Sequence, residues 1–328
     1  MNDVMSQLKE NKFTEKPPID NPAEERFASD WGKLLGKSGR ADWELLLDIF
    51  VELSFPVEEG QSENPAFLAA LKRGELPCER KDAWMPVMPE GIRVYLHPTP
   101  AGRLPVIECE ADEDFIRLHR SIVCRCEPKP VPDSRGATIV KNYNNWARVN
   151  MNRSADGAIP KDPSLYRDYI ALLSHRYYSG VDPEAFGMAP DDWHKKSLII
   201  RREHESAHYM TQRFYNSAKN EIHDEIIADF MGLTATLGEY DPVKFLTFLG
   251  LENAAQFRKG GRLEIYLGGA ETESGEFDRL CETVRNAARN ISGFYKESGE
   301  DRMQTFHALC RTSVADMAEG KFDCGRRN

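Results

Sequence analysis

Two histidines one helical turn apart, with a glutamate between them, carry the clearest chemistry in this chain: His204-Glu205-Ser206-Ala207-His208. On a helix, residues four apart share a face, one turn above the other. Two imidazoles so placed can bind one tetrahedral zinc ion together. Glu205 is rotated by about 100° from His204 and need not be a ligand. It can instead take a proton from an attacking water and pass it to a leaving group. That is metal-assisted hydrolysis. The pattern alone is only moderately specific. With eight histidines in 328 residues, chance supplies it in on the order of one such chain in a hundred, and a solvated helix face of mixed charge would carry the same letters.

A catalytic zinc site also needs a third protein ligand and an open position. Candidates follow in His223-Asp224-Glu225-Ile226-Ile227-Ala228-Asp229-Phe230-Met231-Gly232. Glu225 and Asp229 are four apart, and Ile222, Ile226, Phe230 and Leu233 share their general side, which marks it as the buried one. Carboxylates there need compensation. A metal ion would serve Glu225, and the N–H of a ligand imidazole would serve Asp229. His223 and Asp224 compete with Glu225 for the third position, although Asp224 could instead cap or solvate the helix start.

An H-E-x-x-H helix followed by a second helix bearing E-x-x-x-D resembles the gluzincin, or thermolysin-like, class of zinc metallopeptidases. The likeness covers about residues 200–232. It implies His204, His208 and Glu225 as ligands of one zinc ion per chain, Glu205 as general base and Asp229 as the acceptor that orients His204. It also implies peptide bonds as the substrate class. Sixteen residues separate His208 from Glu225, fewer than in the thermolysin-type pattern, so the turn between the helices must be tight. The metzincin extension would need Gly at 211 and His at 214, and Thr211 and Phe214 exclude it. No counterpart of the thermolysin-type substrate strand or transition-state histidine stands out. Tyr209, Arg262, Tyr266 and His307 are candidates to contact the substrate or a developing oxyanion.

The elements that must position these residues can be read around them. One helix should run from about 192 to 214 and a second from about 220 to 237. A third should begin with Asp241 as cap and Pro242 in its first turn. Residues 258–269 look like a glycine-bounded loop or hairpin. Two stripes, Phe277-Leu280-Val284-Ala287-Ile291-Phe294 and Met303-Phe306-Cys310-Val314-Met317, predict two further helices with core faces. Upstream, residues 1–28 read as a loosely ordered arm and 41–55 as a helix ended by Pro56. Residues 92–100 and 103–111 read as short strands. The proline-rich stretch 127–136 is a connector, 137–150 a strand, and 168–174 either a buried strand or a short helix. The expected fold class is α+β. A mixed N-terminal region of unknown role, residues 1–130, precedes a mainly helical, zincin-like metal-binding domain, residues 131–328.

Composition narrows the function class. The formal charge of -10 with no basic run leaves no footprint for nucleic acid. No apolar run approaches the ~18 residues of a membrane span, and the polar N-terminal stretch lacks the apolar core of a secretory signal. Seven cysteines without a C-x-x-C pair fit a reducing cytoplasm better than a disulfide framework. The expectation is a cytoplasmic zinc hydrolase acting on a peptide or amide substrate. Two other readings stay open: a zinc amidase or deacylase acting on a small molecule, and a non-catalytic metal-binding interaction protein. Ligation by two histidines and a glutamate also suits manganese or iron.

Overall fold

The computed structural model describes residues 8–11, 13–17, 21–36, 39–77, 83–215, 221–253, 256–266 and 275–325. The chain gathers into two compact units, one of Ile19–Arg176 and one of Met1–Pro18 with Tyr177–Asn328. The architecture is α+β. All the strands among the described residues lie in the first unit.

The first unit runs α1 (Asn21–Leu35), α2 (Asp42–Ile49), α3 (Pro65–Arg73), β1 (Ile92–Thr99), β2 (Gly102–Cys109), α4 (Asp112–Ile122), β3 (Ala137–Asn144), α5 (Trp146–Met151) and β4 (Arg167–Ser174). The sheet order is β1-β2-β4-β3. β1 and β2 form an antiparallel hairpin, with Ile92 opposite Cys109 and Thr99 opposite Gly102. β4 runs parallel to β2 and antiparallel to β3. That central place settles residues 168–174 as strand. Ile170, Ala171, Leu172 and Leu173 are all fully buried, as a strand covered on both faces requires, and an uninterrupted apolar run is the result. Trp31, Leu46, Ile49, Ile107, Phe115 and Leu172 belong to the apolar cluster between helices and sheet. Within this unit, buried Arg148 bridges Asp30 and Asp168.

The second unit contains α6 (Pro190–Phe214), α7 (Glu221–Leu237), α8 (Pro242–Leu249), α9 (Gly275–Glu297), α10 (Arg302–Arg311) and α11 (Val314–Ala318). Pro190 and two aspartates open α6, where proline loses no hydrogen bond and acids complement the positive helix end. Asp241 caps α8 by accepting the Val243 and Lys244 N–H groups. α6 and α7 pack closely: a Cβ placed on Gly232 would stand 2.8 Å from the Ile200 carbonyl oxygen. α10 packs on α7, and α9 on α8 and α11.

Four expectations need correction and a fifth is narrowed. Residues 8–11 and 13–17 are not a loose arm: the Lys16 N–H donates to the Phe214 carbonyl at 2.8 Å, and α1 takes up 21–35. Residues 1–7, 12 and 18–20 lie outside the described residues. The proline-rich connector 127–136 does not end a domain at 130, because β3 and β4 beyond it join β2 in one sheet. The division falls between Arg176 and Tyr177. The strand expected over 137–150 stops at Asn144, and Asn145 accepts the Arg148 N–H to start α5. Within 258–269, read as loop or hairpin, Arg262–Tyr266 forms a 3-10 turn, which favours the loop, while 267–269 lie outside the described residues. The last apolar stripe spans two helices, since Ser313 accepts the Asp316 N–H and begins α11 anew.

Cys109, Cys124, Cys126, Cys281, Cys310 and Cys324 are free thiols, and Cys78 lies outside the described residues. No helix among the described residues is long and apolar enough to cross a membrane.

Candidate metal centre

α6 presents His204 and His208 one turn apart, and α7 lays Glu225 across them. Their ligating atoms all lie within 4.8 Å of one another. The two Nε2 atoms are 3.1 Å apart. Glu225 reaches His204 Nε2 with Oε2 and His208 Nε2 with Oε1, each at 3.5 Å. Side-chain exposure is 8% for His204, 10% for His208 and 17% for Glu225, so the group is nearly enclosed.

Each imidazole is held from behind by a carboxylate. His204 Nδ1 meets Asp229 Oδ1 at 3.0 Å, and His208 Nδ1 meets Asp224 Oδ2 at 2.9 Å. A carboxylate only accepts, so both Nδ1 atoms carry a proton, and a ring in that tautomer can turn an Nε2 lone pair to an ion. Two Nε2 atoms and a carboxylate converging at 3.1–3.5 Å favour a positive charge shared between them. Ligands at about 2.0–2.1 Å around a tetrahedral ion stand roughly 3.3 Å apart, which is the spacing this group has. The donor set therefore fits a divalent cation, and His204, His208 and Glu225 could hold one.

The electrostatics agree with the geometry. Burial would raise the Glu225 carboxyl, but His204, His208 and Arg262 outweigh it and keep it below the usual carboxylate range. Burial would likewise lift Asp224, and His208 brings it down instead. The His208 imidazole sits well above its ordinary value because Asp224 and Glu225 overcome the effect of burial. This pocket of side chains attracts positive charge.

A third layer stands behind Asp229. The Tyr178 hydroxyl lies 2.8 Å from His204 Nδ1 and donates to Asp229 Oδ1. Arg262 ion-pairs with Asp229 and sends its other Nη to the Tyr178 and Ser179 hydroxyls at 3.0 and 3.1 Å. Ser179 adopts a left-handed φ of 54°, a costly conformation for a non-glycine residue, and it points its hydroxyl to the guanidinium. Behind His208, Thr211 Oγ1 donates to Asp224 Oδ1 at 3.0 Å.

The residues that the sequence singles out fall into two groups. His204, His208, Glu225 and Asp229 come together, and Glu205 is buried beside them on α6 at 6% exposure. Arg262 joins them as an ion-pair partner, and the Tyr266 hydroxyl bonds to Glu225. Tyr209 instead lies buried beneath the Arg213 guanidinium, 5.7 Å from its ring. His307 is bonded to the Tyr215 hydroxyl at 2.7 Å, beside Phe306. His223, a competitor for the third ligand, bonds the Leu309 carbonyl at 2.8 Å. Asp224, the other competitor, orients His208. Tyr178 and Thr211 are site residues that sequence reasoning misses. The two tyrosines of Tyr177-Tyr178-Ser179-Gly180 are the one signal for Tyr178, and Thr211 gives none.

No curated protein and no solved structure matches the chain. The profile of the DUF7005 family, described as a family of unknown function, matches residues 2–321, and the chain belongs to that family.

Proposed function

We propose that this protein is a zinc-dependent hydrolase, a metallopeptidase of zincin-like build that cleaves peptide or amide bonds. The observation that carries the reading is the convergence of His204, His208 and Glu225 with both histidines oriented by carboxylates. The likeness of residues 200–232 to the gluzincin pattern supports it. Zinc held there would polarise the scissile carbonyl and acidify a water molecule.

The chain's own residues do the remainder. Glu205 takes the proton of the attacking water as its oxygen bonds to the carbonyl carbon. The same carboxyl then delivers that proton to the leaving nitrogen as the C–N bond breaks. Asp229 and Asp224 hold the imidazoles in one tautomer throughout. Of the four candidate substrate contacts, Tyr266 has the hydroxyl nearest to this work, bonded to Glu225, and it can turn to the carbonyl oxygen. Arg262 is committed to Asp229 and Tyr178 and acts by holding them.

The low exposure of the ligands, 8–17%, favours a small amide or an extended peptide segment over a folded protein surface. The free thiols support a reducing, cytoplasmic setting. The test is elemental analysis of the purified protein beside His204→Ala and Glu225→Ala, followed by a peptidase and amidase screen. About one zinc per chain, lost in both variants, with hydrolysis abolished in Glu205→Gln, is the expected result. Wild-type protein that takes up no divalent metal when offered it would refute the reading.

A further inference from the structure

We propose that Asn11 and residues 13–17 form a clasp that sets the affinity of the metal centre, with Phe13 as a positioning residue acting through Asp224. This rests on the reading of His204, His208 and Glu225 as metal ligands. α6 and α7, which carry those ligands, are joined in sequence only by the short stretch after Tyr215. Their mutual geometry at that end is therefore set by whatever else fastens them together.

The clasp makes three fastenings. At the end of α6, the Lys16 N–H donates to the Phe214 carbonyl at 2.8 Å and its ammonium to the Gln212 carbonyl at 2.6 Å. These are last-turn carbonyls that the helix itself leaves without partners, and a cation there also complements the negative helix end. At the start of α7, the Phe13 ring meets His223 edge-to-face, with centroids 4.9 Å apart at 89°. The same ring meets Tyr215 at 6.0 Å and 81°. Against α10, Asn11 Nδ2 donates to the Cys310 carbonyl at 2.9 Å, and Glu15 pairs with Arg311 at 3.2 Å.

His223 is where these fastenings meet the metal centre. It is 1% exposed, pinned between the Phe13 ring and the Leu309 carbonyl, and it adjoins Asp224 in sequence. Asp224 holds His208 at 2.9 Å. Phe13 thus fixes His223, His223 fixes the first turn of α7, and that turn fixes the carboxylate orienting a ligand histidine. Orienting partners of this kind are typically worth about 10–100-fold in metal affinity.

The test is a double-mutant cycle on the full-length protein, with zinc dissociation constants measured by competition against a chromophoric chelator. Phe13→Ala should weaken zinc binding about tenfold. Phe13→Tyr, which keeps the ring contacts, should bind within about twofold of wild type. In an Asp224→Asn background Phe13→Ala should add little, because residues acting in one chain of contacts are not additive. Phe13→Ala with unchanged affinity, or with a loss that adds in full to that of Asp224→Asn, overturns the proposal. Should Phe13→Ala not fold, Phe13→Leu, which removes the ring contact to His223 and keeps apolar bulk, is run through the same cycle with the same criteria. Wild-type protein that binds no zinc would remove the metal reading itself, whereas normal binding in wild type and both clasp variants removes only the clasp.

Discussion

His204 and His208 face each other through their Nε2 atoms at 3.1 Å while Asp229 and Asp224 grip the opposite nitrogens at 3.0 and 2.9 Å. The arrangement is symmetrical in kind: each candidate ligand ring has its own acid. The orientation of both rings is therefore set before any ion arrives.

Asp229→Asn and Asp224→Asn should each weaken metal binding about 10–100-fold. Asp229→Asn should also cost stability, because it leaves the buried Arg262 guanidinium facing a neutral amide. Chelator competition and denaturant unfolding of both variants check this. Equal affinities in wild type and both variants would show that the acids do not orient ligands.

Metal removal should lower the melting temperature. An ion that binds only the folded state contributes about 2.7 kcal/mol at a hundredfold excess over its dissociation constant, which corresponds to roughly 5–10 °C for a unit of this size. Thermal melts with zinc and with chelator measure the difference. His204→Ala should melt at the same temperature in both.

Gly232→Ala should be destabilising even though alanine favours helices. Its Cβ would press to 2.8 Å on the Ile200 carbonyl, so α6 and α7 must separate. A cost of about 1–3 kcal/mol is expected for overpacking, with weaker metal binding alongside. Denaturant midpoints report the first effect and chelator titration the second.

In the first unit, burial lifts the Glu52 carboxyl from 4.5 to about 7, partly offset by the Tyr143 hydroxyl that donates to it. The folded value lies above the unfolded one, so the folded state prefers the protonated acid. The stabilisation is complete below pH 4.5 and is lost as pH rises through about 7. A rise of this size in a buried acid makes the swing on the order of 3 kcal/mol. Stability measured from pH 4.5 to 8 should fall accordingly in wild type and flatten in Glu52→Gln. An unaltered slope in the variant would mean that another group is responsible.

The candidate metal-holding group is legible because helical periodicity alone brings residues four apart to one face, for His204 with His208 and for Glu225 with Asp229. Asp224 is harder to read. It sits one residue off that face, and only the approach of α6 decides that it meets His208. Tyr178 lies 26 residues from His204, on a turn with a left-handed Ser179, where no periodicity points to a partner. The same limits apply to the fold. Apolar spacing continues straight through Thr312 and Ser313 and hides the helix break. The prolines of 127–136 mark a change of direction, and whether the next strands return to the same sheet depends on pairing far along the chain. α8 is legible because its cap is local, with Asp241 and Pro242 both acting within one turn.

The clasp also imposes an order of events during synthesis. Asn11 and Glu15 leave the ribosome 299 and 296 residues ahead of Cys310 and Arg311, their respective partners. At about 5–20 residues per second that is a wait of roughly 15–60 s, during which the unit of Ile19–Arg176 is already complete. The fastening of the clasp to α10 can form only after Cys310 and Arg311 have emerged. Until then the candidate metal centre stands with that part of its clasp open.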